Sequence, residues 1–181
     1  MGAIVHINGY PGVGKLTVGR LLADRIGARL LDNHSIYNIA LALTAFKSKA
    51  YYETLRATRA IAYARVLEVP PGVPVILTNA HFADSAWGNE SWDAAIALAQ
   101  ARGAKHLVVI LECAVEENAR RIASEDRDEK RKPRDPSLFA GNMNGRQLIE
   151  RGGDALLRID TTALGAAETT GLIAEWLMSQ A

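Results

Sequence analysis

Ile4-Val5-His6-Ile7-Asn8-Gly9-Tyr10-Pro11-Gly12-Val13-Gly14-Lys15-Leu16-Thr17 is the stretch from which the rest of the chain is read. An apolar run passes into a glycine-rich turn, the turn ends in Gly-Lys, and a helical pattern begins there. Gly-x₄-Gly-Lys between a strand and a helix is the spacing of a phosphate-binding loop. Phosphate oxygens need several donors at short range, so the backbone must come close with no side chains in the way. Gly9, Gly12 and Gly14 are expected to take positive φ and turn their N–H groups toward the anion. A helix starting at Lys15 aims its positive end at the same point, and the Lys15 ammonium adds a charge near the β/γ-phosphates. The plain alternative, a glycine-rich hairpin with a surface lysine, lacks the strand before and helix after. The predicted nucleotide contacts are Gly9, Gly12, Val13, Gly14, Lys15, Leu16 and Thr17.

One position departs from the pattern. Gly-Lys is normally followed by a Ser or Thr whose hydroxyl holds Mg²⁺. Here Leu16 fills that slot and the hydroxyl comes at Thr17, about 100° further round the helix. Phosphate binding survives this change, whereas Mg²⁺ is expected to be held largely through the phosphates and water.

The remaining composition narrows the class. A chain of 181 residues fits one domain, 1–181, with a small inserted lobe. With 49% hydrophobic and 23% charged residues it reads as an ordinary globular protein. A net charge of +1 argues against broad nucleic-acid or membrane-surface binding. The single cysteine, Cys113, excludes an internal disulfide and fits a reducing cytoplasm; at the end of an apolar run, it reads as core. No apolar segment approaches the roughly 20 residues that span a bilayer, and residues 3–8 are needed as a strand rather than a leader. A monomer or a dimer is expected.

Along the chain, strands are predicted at 3–8, 29–31, 75–77, 105–112 and 156–159. Helices are predicted at 15–26, in two pieces over 35–68, from an N-cap at Ser91 to Arg102, over 115–124, over 140–151 and near the C-terminus. Gly27 and Gly103 read as helix stops. Strands alternating with helices imply a parallel sheet covered on both faces, with ligands bound beyond the carboxyl ends of the strands. Gly9–Thr17, Asp32–His34, Asn79–Asn89 and the loop after Glu112 then share one rim.

Three groups of residues on that rim suit phosphate chemistry. Asp32, after the second strand, is placed to accept a proton from a substrate hydroxyl or to hold Mg²⁺ through water, and His34 to bind a substrate oxygen. Read blandly, Asp32-Asn33 is turn chemistry with Asn33 or Ser35 as a helix cap. Residues 125–136 contain ten charged residues and two prolines, five acids against five bases. They read either as a solvated loop or as a lid that closes over ATP and supplies arginines. Arg127 and then Arg121 are the expected catalytic cations. Helices over 35–68 carry Tyr37, Asn38, Tyr51, Tyr52, Arg56 and Arg59; Arg56, with Asn79 at the third strand's end, is taken for the acceptor pocket. There is no Asn-Lys-x-Asp to read guanine and no carboxylate at the end of the third strand. Glu112 ends the fourth strand but is read as opening the next helix.

With these residues in view, the chain resembles the small-molecule kinases of the P-loop superfamily: shikimate kinase, gluconate kinase and the nucleoside monophosphate kinases. The layout is similar throughout, and the specific motif is the P-loop. The Gly-Lys-Leu-Thr variant and Asp-Asn-His after strand two look closest to poorly characterised bacterial shikimate-kinase-like ATP-binding proteins. The resemblance implies a three-layer α/β/α fold, a five-stranded parallel sheet in the order 2-3-1-4-5, an acceptor lobe over about 35–68 and a lid over about 125–136. It implies ATP and Mg²⁺ as cofactors and a small hydroxylated acceptor. Shikimate kinases carry a second aspartate where this chain has His34, and a Gly-Gly turn where it has Asn79-Ala80-His81, which argues against shikimate as the acceptor. Two functions follow: a kinase using Lys15, Asp32, Arg127 and Arg121, or a nucleotide-binding sensor, which Leu16 and the missing strand-three acid favour.

Overall fold

The computed structural model describes residues 2–123 and 145–180. Its five strands, β1 (Ala3–Gly9), β2 (Arg29–Asp32), β3 (Val75–Asn79), β4 (Lys105–Glu112) and β5 (Ala155–Asp160), form one parallel sheet in the order β2-β3-β1-β4-β5. The helices among the described residues are α1 (Lys15–Ile26), α2 (Asn33–Leu43), α3 (Lys49–Glu68), α4 (Ala86–Ala101), α5 (Val115–Ile122) and α6 (Ala166–Ser179). The sheet order and the α/β class expected from the resemblance are those observed.

β1 is buried along its whole length, between β3 and β4. Side chains alternate across a strand, so its residues divide between two layers. Val5 and Ile7 face α1 and α6, where Val18, Leu22 and Ile173 complete one core. Ile4 faces the other side, with Leu77 and the α4 residues Ala95 and Leu98. Leu22 is fully buried, so truncating it to Ala should cost about 2–5 kcal/mol. Two residues of β1 break its apolar pattern: His6 and Asn8 are both fully buried on the α4 side.

Several boundaries differ from the sequence reading, each for a local reason. α2 begins at Asn33 because the Asp32 carboxylate accepts from the His34 N–H and caps it. α4 begins at Ala86 because the Ser85 hydroxyl accepts from the Gly88 N–H; Ser91 lies inside the helix, buried. α5 ends at Ile122, and Glu112 belongs to β4, paired with Arg158 at 2.8 Å. The helix expected over 140–151 is not formed in its described part. There Ile149 donates its N–H to the His81 carbonyl, and Leu148 pairs with Phe82 in an isolated antiparallel bridge. The backbone of this segment bonds across the molecule, which leaves no partner for a helical ladder.

Gly27 and Gly103 stop their helices in the left-handed region, at φ 65° and 61°. Just before Gly103, Arg102 spreads its guanidinium over four carbonyls. One amine donates to Val66 and Val69 at 2.7 and 2.8 Å, the other to Pro70 and Val73 at 2.8 and 2.7 Å. The proline-broken end of α3 is thereby tied to the end of α4. No helix among the described residues is long and apolar enough to cross a membrane.

Candidate functional site

The loop between β1 and α1 has the phosphate-binding shape. Gly12 and Gly14 take φ of 96° and 95°, which favours glycine. At Gly12 space is also denied: an added Cβ would lie 2.8 Å from Asn118 Nδ2 and Ile122 Cγ1. Gly9, expected to share this conformation, does not have positive φ. It ends β1, and its Cβ would sit 2.5 Å from the Leu111 carbonyl, so close strand approach is what requires glycine there. The Lys15 ammonium lies back over the loop and donates to the Gly9 and Tyr10 carbonyls at 2.8 and 2.7 Å.

A cavity of about 400 Å³ opens beside this loop. Its walls are Gly14 and Thr17 of the loop and α1, Arg120 and Arg121 of α5, and the turn Thr161–Ala166 between β5 and α6. Arg121 is locked in place: it donates to Glu117 Oε1 at 2.6 Å, Thr161 Oγ1 at 2.9 Å and the Thr161 carbonyl at 2.6 Å. Hydrogen bonds from Arg120 and then Arg121 pull the Glu117 carboxyl down to about 2. Thr17 faces this cavity, while Leu16, which brings no donor or acceptor, holds the usual hydroxyl slot. The turn 161–166 was missed by sequence reasoning. Its signal is the Asp160-Thr161-Thr162 run directly after β5, whose Asp160 carboxylate accepts from the Thr162 N–H at 2.9 Å.

A second, narrower cleft lies on the other side of β1, among α2, α3, α4 and the end of β3. Asn33, Tyr37, Arg59, Asn79, His81, Trp87 and Ser91 line it, and its free volume is about 20 Å³, room for one water. Two of its lining residues meet, the Trp87 indole N–H donating to the Tyr37 phenol oxygen at 2.6 Å. The Arg59 guanidinium lies over the Trp87 ring, 4.8 Å from its centroid, and bonds Glu90 at 2.7 Å and Ser91 Oγ at 2.9 Å.

The predicted acceptor residues divide at this cleft. Asn79 lines it, whereas Arg56 and His34 do not. Arg56 stands half-exposed at the edge, paired with Glu90 at 2.7 Å, and Arg59, one turn on, takes the inward place. Asn33 lines the cleft in place of its neighbour His34. Asp32 lies at the end of β2 with both carboxylate oxygens engaged: one caps α2, the other accepts from Thr78 Oγ1 at 2.5 Å. Arg127 and the proposed lid at 125–136 lie outside the described residues.

Behind the cleft is a feature that sequence reasoning missed. His6, His81 and His106 cluster around Trp92, with the His6 ring stacked on the indole at 4.4 Å. The Asn79 amide donates to His6 Nε2 at 3.0 Å, and with His6 in that tautomer its Nδ1–H donates to His106 Nε2 at 3.2 Å. Burial lowers the pKa of all three; His81, in the positive field of Arg59 and Lys15, falls to about 3. Asn8 holds the His81 backbone, accepting from its N–H at 2.8 Å and donating to its carbonyl at 3.1 Å. The signal was available: His6 and His106 both interrupt otherwise apolar strands.

Among the described residues no cluster of three or more His, Cys, Asp or Glu is arranged to hold a metal.

The fold is that of the shikimate-kinase-like P-loop kinases. A sugar kinase from Janibacter sp. superposes with a TM-score of 0.66 at 17% identity, covering 98% of this chain and 95% of its own. The APS kinase of Mycobacterium tuberculosis gives 0.62 at 18% identity, covering 98% of each chain. Shikimate kinase from Acinetobacter baumannii gives 0.57 at 18% identity, covering 99% of this chain and 95% of its own. No family model and no curated protein matches the sequence.

Proposed function

We propose that the protein is an ATP-dependent kinase that transfers the γ-phosphoryl group to a hydroxyl of a small metabolite, acting as a single cytoplasmic domain. The observation that carries this is the placement of Lys15 and the left-handed glycines between two separate recesses. One is large enough for a nucleoside, the other is narrow and lined by hydrogen-bonding groups. The M. tuberculosis APS kinase is described in complex with AMPPNP and APS, and the A. baumannii enzyme with shikimate. That is the pairing of nucleotide and small acceptor proposed here.

In this reading the amides of Gly9–Thr17 and the Lys15 ammonium hold the β/γ-phosphates, and Thr17, Arg120 and the 161–166 turn hold the nucleoside end. Arg121 fixes the wall of the nucleotide pocket and adds positive charge near the phosphates, with Arg127 completing it from the lid. Asp32 orients the attacking hydroxyl and takes its proton; Thr78 and the α2 cap hold its carboxylate in one rotamer. Asn79 contacts the acceptor, with His34 and Arg56 at its outer edge. Mg²⁺, when bound, neutralises charge on the phosphates and is held mainly by them and water, with Asp32 as the expected protein contact.

The test is Mg²⁺-dependent release of ADP from ATP across a metabolite collection. Stimulation by one compound supports the kinase. A second reading, a nucleotide-binding sensor, is favoured by Leu16 and by Asn79 standing where a carboxylate would end β3. ATP binding with no stimulated turnover would put it ahead.

A further inference from the structure

We propose that the narrow cleft is built for a hydroxyl of an uncharged polyol and not for an anionic group, with His81 as the residue that determines this specificity. The inference deepens the kinase reading and rests on it. His81 is 4% exposed, and its Nδ1 has no hydrogen-bond partner among the described residues. An orphan polar atom in a buried site is costly unless a ligand or water satisfies it. The ring is held for that task, because Asn8 fixes its backbone on both sides.

The one charged side chain in the lining, among the described residues, is already committed. Arg59, the cation lining it, has Glu90 and Ser91 on its two amines, and Glu90 also takes Arg56. Asn79 turns its amide nitrogen to His6, so its oxygen is the end left for a ligand. The polar lining that remains is neutral, namely the Asn79 oxygen, the His81 imidazole and the side chains of Asn33, Tyr37 and Tyr63, around a volume of about 20 Å³. One hydroxyl fits where one water fits; a carboxylate or phosphate group is larger, and would find its cation already neutralised. The imidazole stays neutral because burial and the nearby Arg59 and Lys15 oppose its protonation.

The experiment uses the whole chain labelled with ¹⁵N-histidine; the sequence has only four histidines, so single substitutions assign them. Matched probes are titrated with and without ATP: glycerol against glycerate, glucose against gluconate, myo-inositol against quinate. The expected result is a saturable shift of the His81 ring nitrogens with at least one uncharged member and a weaker or absent shift with its carboxylated partner. For the compound that responds, His81→Phe should raise KM roughly tenfold or more with kcat nearly held. A carboxylated probe moving His81 as strongly as its partner overturns the proposal, and so does silence of His81 toward every probe. Calorimetry with ATP on the same sample separates the two readings: a chain that binds no ATP removes the kinase reading, whatever His81 does.

Discussion

The two recesses flanking β1 are made from different materials. The proposed nucleotide side is largely backbone: two left-handed glycines, a helix start, and a turn after β5 pinned by Arg121. The proposed acceptor side is side chains: Asn79 turned to His6, Arg59 held by Glu90, and His81 with the histidine cluster around Trp92. Backbone geometry follows from short-range spacing, so it can serve any triphosphate. A side-chain pocket is assembled from distant positions and is where one relative can differ from the next. The contrast implies that substitutions on the nucleotide side remove function wholesale, while those on the acceptor side change which molecule is used.

The strongest attempt to break this division is Lys15→Ala. It should weaken triphosphate binding far more than monophosphate binding and cut turnover by about 10²–10³-fold, as when a donor to developing charge is removed. Equilibrium binding of ATP and AMP checks the placement, and equal loss for both would contradict it. Next comes Asp32→Asn. Asparagine caps a helix as well as aspartate, so α2 should hold and thermal stability change little. Turnover should nevertheless fall tenfold or more, with ATP affinity within a few-fold, because the charge and not the shape is removed. Unchanged turnover with a working acceptor would take Asp32 out of the mechanism.

Acidity should separate the two sides without mutation. The buried histidines refuse protons that the unfolded chain accepts near pH ~6.5, so stability is full above that value and falls as pH drops toward the folded pKa, about 3 for His81. Each such histidine contributes a slope of about 1.4 kcal/mol per pH unit in that window. Urea midpoints measured between pH 7 and 5 should show it, and His81→Gln should make the slope shallower. The Glu117 ion pairs beside the nucleotide cavity should be untouched there, since that carboxyl titrates near about 2. The smallest expected effect is Leu16→Ser, which restores a hydroxyl to the usual slot and should tighten Mg²⁺-ATP binding a few-fold. A neutral result in the same titration would mean that another group already meets the ion.

The glycine loop of the nucleotide side was readable because its parts lie within about a dozen residues. Gly12, Gly14, Lys15 and the α1 start are all in one run, and sheet order came with the resemblance that run supports. The acceptor side was read only in part. Asn79 lines the cleft as a strand end at the rim should, whereas Asp32 does not, and Arg59 rather than Arg56 lines it: the two arginines differ by one helical turn, and burial distinguishes them. His6, His81 and His106 stood 75 and 25 residues apart, each ordinary alone, and only the order β3-β1-β4 brings them around Trp92. The missed turn at 161–166 has no glycine motif and becomes a wall only because Arg121 reaches across to it.

Arg102 sets how that side can respond. By grasping the carbonyls of Val66, Val69, Pro70 and Val73, it fixes the far end of α3 to the frame of the sheet. Further along, α2 and α3 are held to α4 by the Trp87–Tyr37 hydrogen bond and by Arg56 and Arg59 on Glu90 and Ser91. The lobe is therefore clamped at its root and latched to α4 at several points along its length. An α2–α3 swing wide enough to admit a whole metabolite would have to release all of these contacts at once, while the Arg102 clamp need not give.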